Sequence, residues 1–273
     1  MPLAHLNRAR SGAARAFDAE VLAWRDAVVT NGGSVSLARL VTVDQFVFNE
    51  KAAGCWALTD DYLVHWAENE IQALTSLKQR RLATAVNAPG FTVDRGYTFD
   101  GVSNYVDASF IASSHAVVMT VNNIRVAVYE RTNASGNSSA VGVNSNSSRQ
   151  LAIRPRNGTT ASGFAGTSVA TFTLPGPDSR GFTAVSRATA SLTDTLSFKN
   201  GAGLVRSADP AGAGTVLPNN SILVGALNSA GTPGNFRGST IGMTCWGAAL
   251  SSPQEISQYS NVQDWATAVG ANV

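Results

Sequence analysis

The chain has 273 residues, of which only 14% are charged, and its formal net charge is +2. So weak a positive charge argues against a protein held on nucleic acid by neutralising phosphates. The 44% hydrophobic content excludes a disordered chain, and no run of residues approaches the ~20 apolar residues of a membrane span. The length fits one large β domain or two smaller domains.

Charge and glycine are unevenly distributed along the chain. Residues 1–95 carry 20 charged side chains, and the longer stretch 96–273 carries only 18. Four glycines precede Gly90 and 21 occur from Gly90 onward. This pattern predicts an α+β, multidomain chain, with a small helical region followed by an antiparallel β-sandwich. The expected boundaries are a basic arm at 1–17, a helical docking or oligomerisation region at 18–90, and a sandwich domain at 91–273.

The N-terminal arm contains Arg8, Arg10 and Arg15 and has no acid before Asp18. Its composition resembles that of a mitochondrial presequence. We favour instead a basic arm that becomes ordered against a partner, and we assign the three arginines to docking.

The spacing of apolar residues predicts three amphipathic helices in the first region, at 17–29, 42–54 and 60–77. Helices of this length bury only a small core. Three tryptophans of this region are interpreted as core or interface anchors and are assigned to docking: Trp24, Trp56 and Trp66.

The apolar pattern changes to period two from residue 95. Strands are expected at 97–99, 105–107, 116–121, 124–129, 151–156, 182–186, 196–198, 204–206, 222–226 and 240–246. Lys199-Asn200-Gly201 predicts a hairpin. Ser252-Pro253-Gln254-Glu255 predicts a capping box and a short helix from 253 to about 259. The spacing of strands and turns is typical of a sandwich of antiparallel sheets.

Four motifs in order resemble those of the LamG-like, concanavalin A-like jelly rolls. They are Phe99-Asp100-Gly101-Val102-Ser103-Asn104-Tyr105-Val106, Leu196-Ser197-Phe198-Lys199-Asn200-Gly201, Leu223-Val224-Gly225-Ala226 with Phe236-Arg237-Gly238, and Ala249-Leu250-Ser251-Ser252-Pro253-Gln254-Glu255-Ile256. The resemblance covers about residues 97–260, and it implies a concanavalin A-like jelly-roll domain.

A second resemblance covers the preceding stretch: Trp56, Ala67-Glu68-Asn69, Ala73-Leu74-Thr75-Ser76-Leu77-Lys78 and Pro89-Gly90-Phe91-Thr92-Val93-Asp94-Arg95-Gly96-Tyr97-Thr98. This pattern resembles structural proteins of tailed phages and gene transfer agents, in which a small helical part precedes a LamG-like domain. It implies a virion appendage subunit such as a head spike, head fibre or tail fibre. Thr98-Phe99-Asp100-Gly101 replaces the usual TGDG and Met243-Thr244-Cys245-Trp246 replaces VRIY, which leaves the ligand open.

The sequence lacks the paired carboxylates of jelly-roll glycoside hydrolases. Retaining enzymes need two carboxyl groups about 5–5.5 Å apart, which alternate residues of one strand provide. Only two glutamates, Glu130 and Glu255, lie in the β region, and neither belongs to an E-x-D pair. No other catalytic motif is present, and His5, His65 and His115 are scattered. We therefore expect no enzyme and no cofactor, the alternative being a polysaccharide-degrading enzyme with a cross-subunit site.

Calcium is a weak candidate ligand for Asp100 and Asp107. With Asn104 they supply only part of the oxygen set that calcium requires. The alternative is that both are surface turn residues. The two cysteines, Cys55 and Cys245, are expected to be separate buried thiols.

Arg154 and Arg156 are expected on the same face of one strand, where they suit an acidic polysaccharide. The alternative is an ordinary solvated face. Trp246 is out of phase with Met243 and Cys245, so it is either a sugar platform, a subunit contact or a core residue. The expected carbohydrate-binding residues are Arg154, Arg156, Asn157, Asn104, Tyr105 and Trp246.

Together these features suggest an appendage subunit that binds host cell-surface or capsular polysaccharide through its jelly roll. Its N-terminal region would dock on capsid, spike-base or tail proteins. A low charge suits a homo-oligomer that buries surface between subunits. We expect no nucleic acid, no membrane insertion, and a location on the surface of a virion or phage-like particle assembled in the bacterial cytoplasm. The alternative is a structural decoration protein without a ligand.

Overall fold

A computed structural model describes residues 16–145, 150–167, 172–175, 178–189, 195–200, 202–207 and 215–273. Its helices are α1 Ala19–Thr30, α2 Leu37–Ala52, α3 Cys55–Leu58, α4 Glu70–Leu74, α5 Ala112–His115 and α6 Ser252–Ala268. Across those ranges, no helix is both long and apolar enough to cross a bilayer.

The strands divide between two sheets. In chain order they are β1 Thr59–Val64, β2 Thr84–Val86, β3 Gly90–Thr92, β4 Gly96–Thr98, β5 Tyr105–Ile111, β6 Ile124–Glu130, β7 Val141–Asn144, β8 Gln150–Asn157, β9 Thr160–Thr167, β10 Phe172–Pro175, β11 Gly181–Arg187, β12 Thr195–Lys199, β13 Ala202–Ser207, β14 Ser221–Val224, β15 Leu227–Ser229, β16 Thr232–Gly234 and β17 Thr240–Gly247.

One sheet has the order β13-β12-β11-β6-β17-β4-β3, with β1 also paired to β17. The other has the order β10-β9-β8-β7-β14-β5-β2, and the β15–β16 hairpin joins it at β7. The β15–β7 pair is parallel, whereas the other described pairs, such as β6–β17 and β8–β9, are antiparallel. The predicted fold class, helices with an antiparallel β-sandwich, is confirmed.

A first apolar core lies between the two sheets. In β5 the inward residues Val106, Ala108 and Phe110 are buried, and the residues between them are half-buried on the outer face. Trp246 of β17 enters this core from the opposite sheet and packs on Phe110, with ring centroids 5.1 Å apart. The alternation in β5 is therefore that of a strand with one buried face.

A second apolar core lies on the other face of the eight-stranded sheet, beneath α1, α2 and α6. Strand β6 is consequently buried on both faces: Val126 and Val128 point between the sheets, and Ala127 and Tyr129 point toward the helices. Strands covered on both sides are continuously apolar, which explains the β6 sequence. The molecule thus has three layers, and the N-terminal helices form the third.

The helix expected at 60–77 is wrong. Residues 59–64 form β1, which pairs with β17, and only the short α4 is helical further on. Tyr62 and Val64 enter the helical core and Leu63 enters the inter-sheet core, so burial on both faces overrides the helical spacing. Strands β1 and β2 of the expected helical region therefore pair with sandwich strands, while the boundaries at residues 17 and 90 stay predictions.

Two other expected elements differ from the structure. No strand forms at 116–121, where the Asp60 carboxylate accepts the backbone N–H groups of residues 117, 118 and 119. The capping box of α6 uses Ser251 and Gln254 rather than Ser252 and Glu255, because Glu255 turns inward to pair with Arg125. Strands β12 and β13 pair antiparallel, as the hairpin expected at Lys199-Asn200-Gly201 requires, and Gly201 itself lies outside the described residues.

The burial of His65 predicts that the stability of the folded protein depends on pH. His65 is fully buried, its Nδ1 donates to the Ala73 carbonyl at 3.0 Å, and burial lowers its pKa to about 4. In the unfolded chain, the His65 imidazole takes up a proton below about pH 6.5. The neutral, buried imidazole therefore contributes fully to the stability of the folded protein above that pH, and this contribution is lost as the pH falls toward 4. We expect a loss of roughly 3 kcal/mol over this range, measured by urea unfolding at several pH values.

The matched variant is His65→Asn, which keeps an N–H donor near Ala73 but cannot titrate in this range. Its free energy of unfolding should change less between pH 7 and pH 4 than that of the wild type. Equal pH dependence in the two proteins would show that His65 does not titrate on unfolding.

Candidate functional site

The outer face of the nine-stranded sheet brings together several of the expected binding residues. Val106, Val224, Val141 and Ile153 are aligned across β5, β14, β7 and β8. In the adjacent row, one residue away along each strand, Tyr105 of β5 lies at one side and Arg154 of β8 at the other. Their neighbours Val106 and Ile153 are in the core, so both side chains project outward. Three strand spacings separate them, about 14 Å, which suits an oligosaccharide rather than a single sugar.

Arg154 lies on this face over an aromatic ring. Its guanidinium carbon is 4.9 Å from the centre of the Phe164 ring, and the side chain is half-buried. Nε is buried and has no hydrogen-bond partner among the described residues. Burial lowers the pKa of the guanidinium, and no carboxylate contributes to that shift. Among the described residues, the outer face therefore presents a cation that has no carboxylate partner and lies over an aromatic ring.

Arg156 lies on the same face of β8 but is engaged within the protein. Its Nε donates to the Gly158 carbonyl at 2.9 Å, and Nη1 donates to Asn133 Oδ1 at 3.0 Å. Asn157 is exposed at the end of the strand. Of the two arginines, Arg154 is thus the better placed to accept an external anion, and Arg156 orders the loop beside it.

Tyr105 forms an aromatic pair with Phe236, with ring centroids 6.3 Å apart and both rings half-buried. The neighbouring Arg237 N–H donates to the Gly225 carbonyl at 2.8 Å, and Gly225 follows Val224 in β14, in the row of Tyr105 and Arg154. Phe236 therefore belongs to a segment that is bound at the end of β14, with its ring beside Tyr105. We refer to Tyr105, Arg154, Phe164 and Phe236 as the Arg154 face.

Arg237 holds the loops around the Arg154 face. It is fully buried and forms a two-point ion pair with Glu130, at 2.8 and 3.0 Å. Its remaining N–H groups donate to the carbonyls of Arg156 and Ala134 at 3.1 and 2.8 Å and to the Ser138 hydroxyl at 3.2 Å. One buried cation thus joins β6, the end of β8 and the loop after β6 to the segment that carries Phe236.

Two expected binding residues have other roles. Trp246 is buried in the inter-sheet core, so its assignment as a sugar platform is wrong. Met243 and Cys245 face the helical core instead, so neither side of β17 is in contact with solvent. Asn104 is buried, and its Oδ1 accepts the Asp100 N–H at 2.8 Å, which shapes the loop rather than a binding surface.

The three tryptophans assigned to docking are buried within the chain, and that assignment is wrong. Trp24 donates from Nε1 to the Thr75 carbonyl at 3.1 Å. Trp56 stacks on Tyr62, and Trp66 packs edge-on against Tyr129. The other expected docking residues, Arg8, Arg10 and Arg15, lie outside the described residues.

Asp100 and Asp107 are engaged by protein donors. Asp100 Oδ1 accepts the N–H groups of residues 103, 102 and 104, and these bonds lower the pKa of the carboxyl to about 2. Asp107 Oδ1 accepts the Ser109 N–H and the Ser221 hydroxyl. Within the described ranges, no group of three or more His, Cys, Asp or Glu residues is placed to hold a metal. Calcium at this loop stays a prediction.

The two glutamates of the β region are both bound to arginine. Glu130 pairs with Arg237, and Glu255 pairs with Arg125 at 2.7 Å, with all four side chains almost completely buried. Both carboxylates are therefore held by arginine inside the protein and are not presented on its surface.

Several residues of the Arg154 face were not predicted. Phe164 belongs to β9, a strand that has no clear alternating pattern in sequence, and it pairs across from Ala152 of β8. Phe236 was noted only as part of the jelly-roll resemblance. Nothing in a single sequence shows that these rings lie beside Arg154 and Tyr105.

No protein-family model and no curated protein matches the chain. Solved structures do resemble it. A sialidase from Trypanosoma rangeli matches with a TM-score of 0.51 and 14% identity, over 83% of this chain and 40% of that one. Domain 4 of AbnA, a GH43 extracellular arabinanase from Geobacillus stearothermophilus, matches with a TM-score of 0.47 and 12% identity, over 74% and 98% of the two chains.

A third match is the CBM40 of a Ruminococcus gnavus sialidase, with a TM-score of 0.37 and 16% identity, over 52% of this chain and 82% of that one. The sialidase match of TM-score 0.51 supports the β-sandwich fold described above. This chain spans less than half the length of that sialidase.

These similarities correct one expectation from the sequence. We expected that the chain is not an enzyme, yet the similar solved structures include glycoside hydrolases, an arabinanase and sialidases.

Proposed function

We propose that this chain binds an acidic polysaccharide of the cell surface or capsule on the Arg154 face. The observation that carries the proposal is the Arg154 guanidinium, stacked on Phe164 with its buried Nε unpaired among the described residues and with no carboxylate to neutralise it. A half-buried cation without a counterion is costly, and a carboxylate of the ligand would offset that cost with charge-assisted hydrogen bonds.

The aromatic pair completes the proposed surface. Tyr105 and Phe236 offer ring surface to the apolar face of a sugar, and the Tyr105 hydroxyl offers a hydrogen bond. Arg154 lies about 14 Å away along the same row, so one chain of linked sugars reaches both. The proposed role of Arg154 is to read the acidic group, and that of the aromatic pair is to bind the sugar ring.

The test compares binding of polygalacturonate, which carries carboxylates, with binding of neutral dextran. Arg154→Ala is expected to weaken polygalacturonate binding about 10- to 100-fold, because it removes charge-assisted hydrogen bonds worth about 1.5–3 kcal/mol. Isothermal titration calorimetry measures the change. Arg154→Lys keeps the charge but loses the planar fork of N–H donors, so its affinity for polygalacturonate should lie between those of the wild type and Arg154→Ala.

The matched control is Arg25→Ala on α1, which removes an exposed arginine paired with Asp26 from the helical layer. It should bind like the wild type. Equal binding by the Arg154→Ala and wild-type proteins would refute the assigned face. Release of reducing ends, followed in the same samples, shows whether the bound polymer is also cut.

We further propose that the protein is an appendage subunit, of head-spike, head-fibre or tail-fibre type, on a phage-like particle. The order of the sequence motifs before and within the jelly roll supports this proposal. Docking to capsid, spike-base or tail proteins is assigned to the basic arm at 1–17, and the particle displays several copies so that weak sugar contacts add up. Immunogold labelling of purified particles should show the protein on their surface, and its absence from particles would exclude this role.

A further inference from the structure

The outward side of α2 carries almost no charge. Of its four charged residues, Arg39, Asp44 and Glu50 are buried, and Lys51 pairs with Asp18 at 2.8 Å. The residues that face outward along the helix are neutral and partly apolar: they include Leu37, Ala38, Val41, Thr42, Gln45 and Asn49. This arrangement reverses the usual one, in which a surface helix places its charges in water.

The outward side of α6 is similar. Its exposed residues are neutral apart from one acid, Asp264: Ser252, Pro253, Ile256, Ser260, Thr267 and Ala268. Ile256 is 54% exposed and Leu37 of α2 is 69% exposed. We call these outward sides of the two neighbouring helices the α2–α6 face.

A groove separates the two helices along part of this face. They run antiparallel: Gln254 of α6 donates to the Gly54 carbonyl just after α2, and Phe46 packs on Trp265 further along. A cavity of about 250 Å³ opens between them, with Phe46 and Trp265 among the residues that line it. Val41 lines the cavity and is also 41% exposed. The ridge formed by the exposed side chains of α2 therefore borders the groove directly.

We propose that a second copy of this chain docks on the α2–α6 face through a twofold axis. The cores of protein interfaces are depleted of charged residues, and the exposed side chains of this face are neutral except for Asp264. A strongly charged partner would lose its hydration here without finding counterions. A second copy brings a neutral surface with the same ridge and groove, which is what a twofold contact requires.

The antiparallel helices also give the register of the contact. Leu37 lies at the start of α2 and Ile256 near the start of α6, so these exposed side chains occupy opposite ends of the face, one on each helix. A twofold axis that lies in the plane of the contact, through its middle and perpendicular to the line from Leu37 to Ile256, exchanges the two ends of that line, and the helices of the two copies then cross at an angle. It therefore places Leu37 against the partner subunit's Ile256, and the same contact occurs twice.

The size of the face fits a reversible dimer. Helices of 16 and 17 residues are about 25 Å long, and neighbouring helix axes lie about 9 Å apart. With a helix diameter of about 10 Å added to that separation, the face is about 19 Å wide, so it presents about 500 Å² per copy, or about 1,000 Å² in a pair, at the lower end for specific interfaces. The contact is independent of the proposed carbohydrate site, which lies on the opposite outer layer of the molecule.

The test is sedimentation velocity of the full chain over a concentration series. Wild type should dimerise reversibly, and Leu37→Lys and Ile256→Lys should each weaken the dimer at least about tenfold. The double variant Leu37→Asp/Ile256→Lys places an acid against the partner's base at both contacts, and should return the dissociation constant to within about threefold of wild type. Val117→Lys, at a valine that is 82% exposed and lies away from this face, is the control and should have no effect.

Replacing Asp264 is expected to strengthen the dimer rather than weaken it. It lines the groove across from Gln45 near the middle of the face, so the twofold axis brings the two copies of this carboxylate toward each other. Asp264→Asn should therefore tighten the dimer. A wild-type chain that stays monomeric throughout the series, or a double variant weaker than either single variant, would overturn the proposal.

Discussion

Replacing Arg237 by methionine is expected to lower the free energy of unfolding by about 3–5 kcal/mol, the usual cost of leaving one partner of a buried ion pair uncompensated. Arg237 and Glu130 are both fully buried and joined by two hydrogen bonds. The substitution leaves the Glu130 carboxylate buried without its partner, and it also removes the donors to the carbonyls of Arg156 and Ala134. Urea unfolding measures the loss.

A double variant separates stability from the organisation of the loops. Arg237→Met/Glu130→Leu removes both charges, and replacing a buried pair by apolar residues is often neutral, so most of the stability should return. Binding of polygalacturonate should stay weak, because the loops beside Arg154 still lack their common donor. Full binding by this double variant would show that Arg237 does not position the Arg154 face.

Replacing Arg125 by methionine is the second large effect, again about 3–5 kcal/mol. Arg125 of β6 holds Glu255 of α6 through two bonds of 2.7 Å, and Nη1 also contacts Cys245 Sγ at 3.4 Å. Without it, Glu255 is a buried charge beneath the helical layer. Thermal or urea unfolding should show a loss comparable to that of Arg237→Met.

The two ion pairs serve as controls for each other. Arg125 lies on the helical side of the eight-stranded sheet, away from the Arg154 face, so folded Arg125→Met protein should bind polygalacturonate like the wild type. Folded Arg237→Met protein should not. Equal loss of binding in both variants would mean that the loss follows from reduced stability rather than from loop position.

The sequence predicts the sandwich well and the third layer poorly, for a physical reason. Alternation identifies strands with one buried face, such as β5. It fails for β1, whose two faces are both covered, so that its residues are apolar or paired throughout. The out-of-phase arrangement of Cys245 and Trp246 was visible in the sequence, but the helices that cover Cys245 were not expected on the sheet.

The candidate site was predictable only in part. Strand alternation places Arg154 and Arg156 on one face, because that relation is local. Which of them lacks a partner depends on Asn133 and Phe164, which come from other strands and loops. The Arg237–Glu130 pair spans 107 positions of the chain, so a pattern in one sequence does not reveal it. Sequence alone therefore names the face, whereas the structure distinguishes the roles of its residues.

In the proposed function, the Arg154 guanidinium contacts the acidic group of a polysaccharide. Isotope-filtered NMR of the arginine Nε–H groups tests it directly during titration with oligogalacturonate. The Arg154 signal should shift in a saturable way, and the Arg156 signal, whose Nε is already bonded to the Gly158 carbonyl, should move far less. A titration that leaves the Arg154 signal in place while the oligosaccharide binds would contradict a contact between Arg154 and the acidic group.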